Sequence, residues 1–236
     1  MANTRTVRIV GRVVKSIFTA LLFGVCGILV WRLFSSGDPD SVKSLKSNAA
    51  LLEAYEEYGD ELILQYQYQD SITLAEHNRG YFSVTQYVFI PQAKQVQLVF
   101  RYNNSTIQHL AEDYGLSDVP SKDEHLFEVS LVTTTDLTPE NREDNAEVSQ
   151  LKMDRYVASD YHRDTTALYT YYRYVFDNVE ITEDMLYVFA DVYYTQDINY
   201  EEHAYGTLCL YDDESEWVPY KMTNADVVAL TKPKED

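Results

Sequence analysis

Cysteine and glycine are scarce in this chain, and acidic residues are missing altogether from its first 37 positions. The 236 residues include two cysteines and eight glycines. Cys26 falls in an apolar run and Cys209 stands alone in the remainder, so no intradomain disulfide and no C-x-x-C metal or redox pair is available. A body without such staples must be held by its core, and the chain is long enough to build one. The few glycines form no G-x-S-x-G elbow and no phosphate-cradling loop. H-E-x-x-H and the D-x-[DN]-x-[DN]-G calcium loop do not occur either. From sequence, therefore, no catalytic residue, no cofactor site and no metal ligand is assigned.

The acid-free N-terminus carries Arg5, Arg8, Arg12 and Lys15, then an uncharged run from Ile17 to Trp31. Ile17, Leu21, Leu22, Phe23, Val25, Ile28, Leu29, Val30 and Trp31 form its apolar surface, and Arg32-Leu33-Phe34 add another turn. A bilayer core takes about 20 mostly apolar helical residues, and flanking positive charge prefers the cytoplasmic side. The expectation is a basic cytoplasmic tail (1–16), a transmembrane signal-anchor helix embedded in the lipid bilayer (17–34) and a linker (35–46). A cleaved signal peptide is the rival reading. It needs a shorter apolar stretch and a small-x-small site, where this chain has Trp31, Arg32 and Phe34. The chain is thus read as a single-pass cell-membrane protein, N-terminus inside, with everything beyond the span extracytoplasmic.

Five of the 19 basic residues precede Asp38, which leaves 14 against all 38 acids and a formal charge of −24 beyond the span. Such a surface repels nucleic acid and anionic headgroups, so no nucleic-acid partner is expected. The acidic clusters at 140–144 and 212–216 read as solvated turns, with weak calcium binding as the competing possibility.

Past the linker the hydrophobic period changes. Leu52, Tyr55 and Tyr58 recur at helical spacing before Gly59, which predicts a helix over 47–58. From Leu62 the pattern alternates with period two. Further strands are predicted at 81–90, 96–102, 127–135, 168–179, 186–195 and 205–211, with a second short helix at 106–114. The polar stretch 136–150 reads as a long loop and 231–236 as a tail. The predicted fold is mainly β: an antiparallel β-sandwich of immunoglobulin-like topology over 47–230, with one or two short helices. An α+β domain with helices covering a single sheet is the alternative.

Tyrosine is the compositional outlier, at 21 residues. Tyr171, Tyr172, Tyr174, Tyr193 and Tyr194 fall in predicted strands, and half-wet tyrosine faces suit contact with a protein or a glycan. They are the candidate binding surface. Three of the five histidines follow a glutamate, as in Glu76-His77, Glu124-His125 and Glu202-His203. Neighbouring strand residues point to opposite faces, so these pairs are not ready-made metal sites. Cys209, in GTLCLY, reads as a packed thiol. The expected function is a non-enzymatic binding or structural module at the cell envelope, meeting an envelope protein or glycan partner. The alternative is an exported hydrolase that attacks cell-wall polymer through a carboxylate pair.

Overall fold

A computed structural model of the protein describes residues 3–35, 39–62, 64–66, 72–73, 82–134, 153–180, 187–196, 204–211 and 218–231. The predicted loop at 136–150, the acidic turn at 212–216, residues 232–236 of the terminal tail, His77 and His203 lie outside these residues. The chain divides into two compact units, Met1–Gly37 and Asp38–Asp236.

The first unit is a 33-residue helix, α1 (Asn3–Ser35). Its stretch Val14–Trp31 has a mean hydropathy of 2.0 and no residue buried in the structure, and is long and apolar enough to cross a membrane. The helix also takes in the basic N-terminal segment expected as a tail, where no proline interrupts it. Straight-chain and β-branched residues there can all continue a helix at modest cost.

In the second unit α2 (Asp40–Lys43) precedes α3 (Ala49–Tyr58). Asn48 caps α3, its side-chain oxygen accepting the Leu51 N–H at 3.0 Å. Gly59 stops the helix at φ +51, a conformation that glycine adopts without a Cβ clash. There follow β1 (Gln65–Tyr66), β2 (Ile72–Thr73), β3 (Phe82–Ile90), β4 (Gln95–Asn103), α4 (Thr106–Asp113), β5 (Phe127–Thr134), β6 (Met153–Val157) and β7 (Asp160–Thr165). The last elements are β8 (Tyr169–Phe176), β9 (Tyr187–Tyr194), β10 (Gly206–Tyr211), β11 (Val218–Pro219) and α5 (Asn224–Thr231).

The strands form two antiparallel sheets. The larger runs β11-β1-β3-β4-β8-β7, with β2 added beside β3, and the smaller runs β10-β9-β5-β6. Alternation assigns each residue a side. From β8, Tyr172, Tyr174 and Phe176 join the main core, while Tyr171 packs with Val42 and Val99 on the opposite face. The main core also takes Phe82, Phe100 and Tyr102 from the large sheet and Phe127, Leu131, Val192 and Tyr194 from the small one. The two inner faces therefore bury each other, as in a sandwich. The large sheet has a third layer: Leu51 and Ala54 of α3, Leu45 and Leu230 of α5 pack with its Val88 and Ile90. The helical cover that belonged to the α+β alternative is thus present on top of the sandwich.

Phe127 marks the centre of the core. Its ring meets Phe82 at 5.0 Å and Tyr102 at 5.0 Å between centroids, both edge-on, and Tyr194 at 6.0 Å. Such edge-to-face contacts suit the aromatic quadrupole. Replacing Phe127 by Ala is expected to cost about 3–5 kcal/mol, read as a lowered denaturation midpoint with an unchanged denaturant slope.

Candidate functional site

The five tyrosines of the expected surface are all buried: Tyr171 and Tyr172 at 0%, Tyr174 and Tyr194 at 1% and Tyr193 at 5% exposure. They are core groups here and present no ring face to solvent. The physical reason is the number of layers. A sheet wet on one side leaves half its tyrosines outside, but the large sheet, which holds Tyr171, Tyr172 and Tyr174, is covered on both faces. In the small sheet Tyr194 faces the main core, and Tyr193, on the other face, lies under the Arg155 guanidinium at 5.5 Å. Tyr174 spends its hydroxyl internally, donating to the Phe127 carbonyl at 2.5 Å. Burial drives its pKa, and that of Tyr172, far above the phenol value.

The most developed polar constellation lies between the outer face of the large sheet and the segment that follows α1 in sequence. Arg173, wholly buried in β8, donates from Nε to the Val42 carbonyl at 2.8 Å and from Nη2 to the Lys43 carbonyl at 2.9 Å. These carbonyls belong to the end of α2, where a helix leaves acceptors unfilled. The guanidinium also reaches Gln97 Oε1 at 3.3 Å and Gln86 Oε1. Gln97 reads the backbone of Lys46 twice, accepting its N–H and donating to its carbonyl, each at 2.9 Å. It thereby imitates a strand partner.

Asp226, wholly buried, holds the neighbouring residue: its carboxylate accepts the Leu45 N–H at 2.6 Å and the Tyr220 hydroxyl at 2.8 Å. Asp226 also completes a capping box at the start of α5, accepting the Thr223 N–H at 2.7 Å while its own N–H donates to Thr223 Oγ1 at 3.2 Å. Residues 40–46, expected as linker, are therefore part of the second unit, clasped by side chains from β4, β8 and α5.

The network continues to a carboxylate. Gln95 donates to Asp177 Oδ1 at 2.7 Å and to Asn48 Oδ1 at 2.9 Å, and Asn48 Nδ2 reaches both Asp177 oxygens at 3.0 and 3.1 Å. Ser159 donates a hydroxyl at 2.5 Å. Burial alone raises the Asp177 pKa, but the bonds from Ser159, Gln95 and Asn48 outweigh it and leave the group below its ordinary value. Asp177 and Asp160 line an open recess of about 440 Å³ with Asn48, Ala49, Ala50, Ser159 and Asn178. Asp160 is paired with Lys46 at 2.7 Å. A glycosidase acid must hold a proton near neutrality; Asp177 is shifted the opposite way.

Among the described histidines, His109 faces Glu112 at 3.4 Å. His125 stacks on Tyr161 at 4.6 Å between centroids, while Glu124 accepts from Gln196 at 2.6 Å, so this Glu-His pair diverges. Cys209 is half-buried beside Val132 and Phe189. Among the described residues no group of three or more His, Cys, Asp or Glu side chains is gathered to hold a metal.

Sequence reasoning passed over Arg173, Gln95, Gln97 and Asp226. The available signal was a cation in the middle of YTYYRYVF, where an exposed strand face would be the ordinary explanation. Arg173→Leu should leave the carbonyls of Val42 and Lys43 dry and unbonded, costing about 2–5 kcal/mol and bringing rapid proteolysis within residues 39–48. Asp177→Asn should be less stable than the parent at pH 7. That gap should close as pH falls below the carboxylate value of 3.8 and through the lower folded pKa, because the advantage exists only while Asp177 is ionised. Denaturation midpoints at pH 7 and pH 3 check this.

No protein-family model, no curated protein and no solved structure matches this chain.

Proposed function

We propose that this chain is a single-pass membrane-anchored protein whose extracytoplasmic domain is a non-enzymatic binding or structural module of the cell envelope, with an envelope protein or glycan as partner. One observation carries the reading: the segment next to the apolar helix in sequence is bonded into the β domain by Arg173, Gln97 and Asp226. A domain that only needed displaying could hang from a flexible tether. Here buried polar groups specify one docking of the entering chain, a use to which such networks are suited. Each buried carboxylate described, Asp191 and Asp226, accepts hydrogen bonds from neighbouring side chains, as a structural anion does.

The domain is read as immunoglobulin-like on its strand order. In that topology one sheet runs A-B-E-D and the other G-F-C-C′. The orders β3-β4-β8-β7 and β10-β9-β5-β6 correspond to these in sequence, with β1, β2 and β11 extending the first sheet. The disulfide found between the sheets of antibody domains has no counterpart among the described cysteines. Ring contacts such as Phe100 with Phe127, 6.2 Å apart, join the sheets instead. The orientation follows from the basic flank of the apolar run, which favours a cytoplasmic N-terminus.

The full-length protein should remain in membranes after alkaline carbonate washing, and protease added to intact cells should remove the domain. Cross-linking in whole cells, followed by purification, should return an envelope component. Release by carbonate, protection from external protease, or turnover of a wall polymer by the purified protein would each overturn the reading.

A further inference from the structure

The flank of the sandwich between β7 and the start of β5 is closed by a loop rather than by a strand. β6 pairs with β5 from Ser130 to Thr134 and stops short of Phe127–Val129. The loop 115–126, which leads into Phe127, is tied to β7: Arg163 donates to the carbonyls of Asp123, at 2.9 Å, and Lys122. Near its end the His125 ring is inserted between two tyrosines, stacked on Tyr161 at 4.6 Å and edge-on to Tyr172 at 5.2 Å.

We propose that His125 is an acid-sensitive pin, and that protonating its imidazole releases loop 115–126 from β7 and uncovers the space between the sheets at Tyr172 and Tyr102. The groups that face this ring decide its charge. From β7 come the Tyr161 phenol and the Arg163 guanidinium, which lies 5.8 Å from the Tyr172 ring centroid. Tyr172 of β8 comes next, with Tyr102 of β4 stacked behind it at 6.3 Å. Glu128 of β5 is the opposing anion, and the loop itself carries Lys122, Asp123 and Glu124. Burial disfavours the imidazolium; Glu128 favours it and Arg163 opposes it, and the balance leaves the His125 pKa below its ordinary 6.5. The closed loop thus holds a neutral imidazole. Acid supplies a second cation beside Arg163, and His125 Nδ1 is buried with no hydrogen-bond partner among the described residues.

The closed state is also poised, because it keeps other polar atoms dry. The hydroxyls of Tyr102 and Tyr172 and Nε of Arg163 are near enough to influence one another's ionisation, yet none completes a well-aligned hydrogen bond among the described residues. Each such atom costs free energy while it is buried and regains it on meeting water. Opening the loop wets all of them at once. Folded-state depression of the His125 pKa means that the closed form is favoured above about pH 6.5, and that this preference is lost as pH falls toward the lower folded value.

The test is hydrogen–deuterium exchange on the full-length protein in detergent micelles, corrected for the intrinsic pH dependence of exchange. Protection of the peptide covering 115–126 should fall at least tenfold between pH 7.5 and pH 5.0, while β4 and β9 keep theirs. In His125→Gln, whose side chain stays neutral, protection should not depend on pH. His125→Phe fills the same place between Tyr161 and Tyr172 and should behave alike if the glutamine variant fails to fold. Equal protection at both pH values in the parent, or the same tenfold fall in His125→Phe, would overturn the proposal.

Discussion

A guanidinium taken out of water must be surrounded by acceptors, and Arg173 meets that demand with main-chain carbonyls of the very segment that enters the domain. The buried charge and the docked chain make each other possible. Without the carbonyls of Val42 and Lys43 the cation would carry an uncompensated desolvation cost of several kcal/mol (about that order for a buried ion). Without the cation, the short helix α2 would end on unbonded acceptors. Gln97 and Asp226 extend the same logic to Lys46 and Leu45, so the position of the segment is specified by hydrogen-bond geometry and sealed by the burial of Val42 and Leu45.

The opposite face of the large sheet is organised differently. There the sheets meet through aromatic rings, and the phenols among them are placed where their hydroxyls must find internal partners or go without. Tyr174 succeeds through the Phe127 carbonyl. Tyr102 and Tyr172 sit closer to the flank closed by loop 115–126, beside Arg163, and complete no well-aligned bond of this kind among the described residues. A sandwich built with tyrosine rather than phenylalanine thus gathers unspent polarity at one edge, next to the loop that shields it.

Several elements are legible in the sequence alone. The alternation in VQLVFRY predicted β4 within a residue at each end, and Asn48 with Gly59 bracketed α3, because capping and period-two burial are local effects. Other elements were not. MDRYV and DYHRDT are strands β6 and β7 without an apolar alternation, since both are sheet edges with largely exposed side chains. The helix α5 is not predicted, because its apolar residues are not confined to one stripe; Val227 and Val228 remain exposed while Leu230 is buried.

What the sequence by itself determined is what depends on near neighbours: an apolar helix with a basic flank, the strand periods, the caps and the charge of the body. Whether a strand's second face is wet or covered is a long-range matter. Glutamines 95 and 97, Arg173 and the tyrosines of β8 and β9 look like solvent-facing residues in any local window. The packing of α2, α3 and the second sheet against the large sheet, through contacts between residues more than a hundred positions apart such as Arg173 with Val42, turned its glutamines, arginine and tyrosines into core, while Tyr194 of β9 turns into the same core and Tyr193 is covered by Arg155.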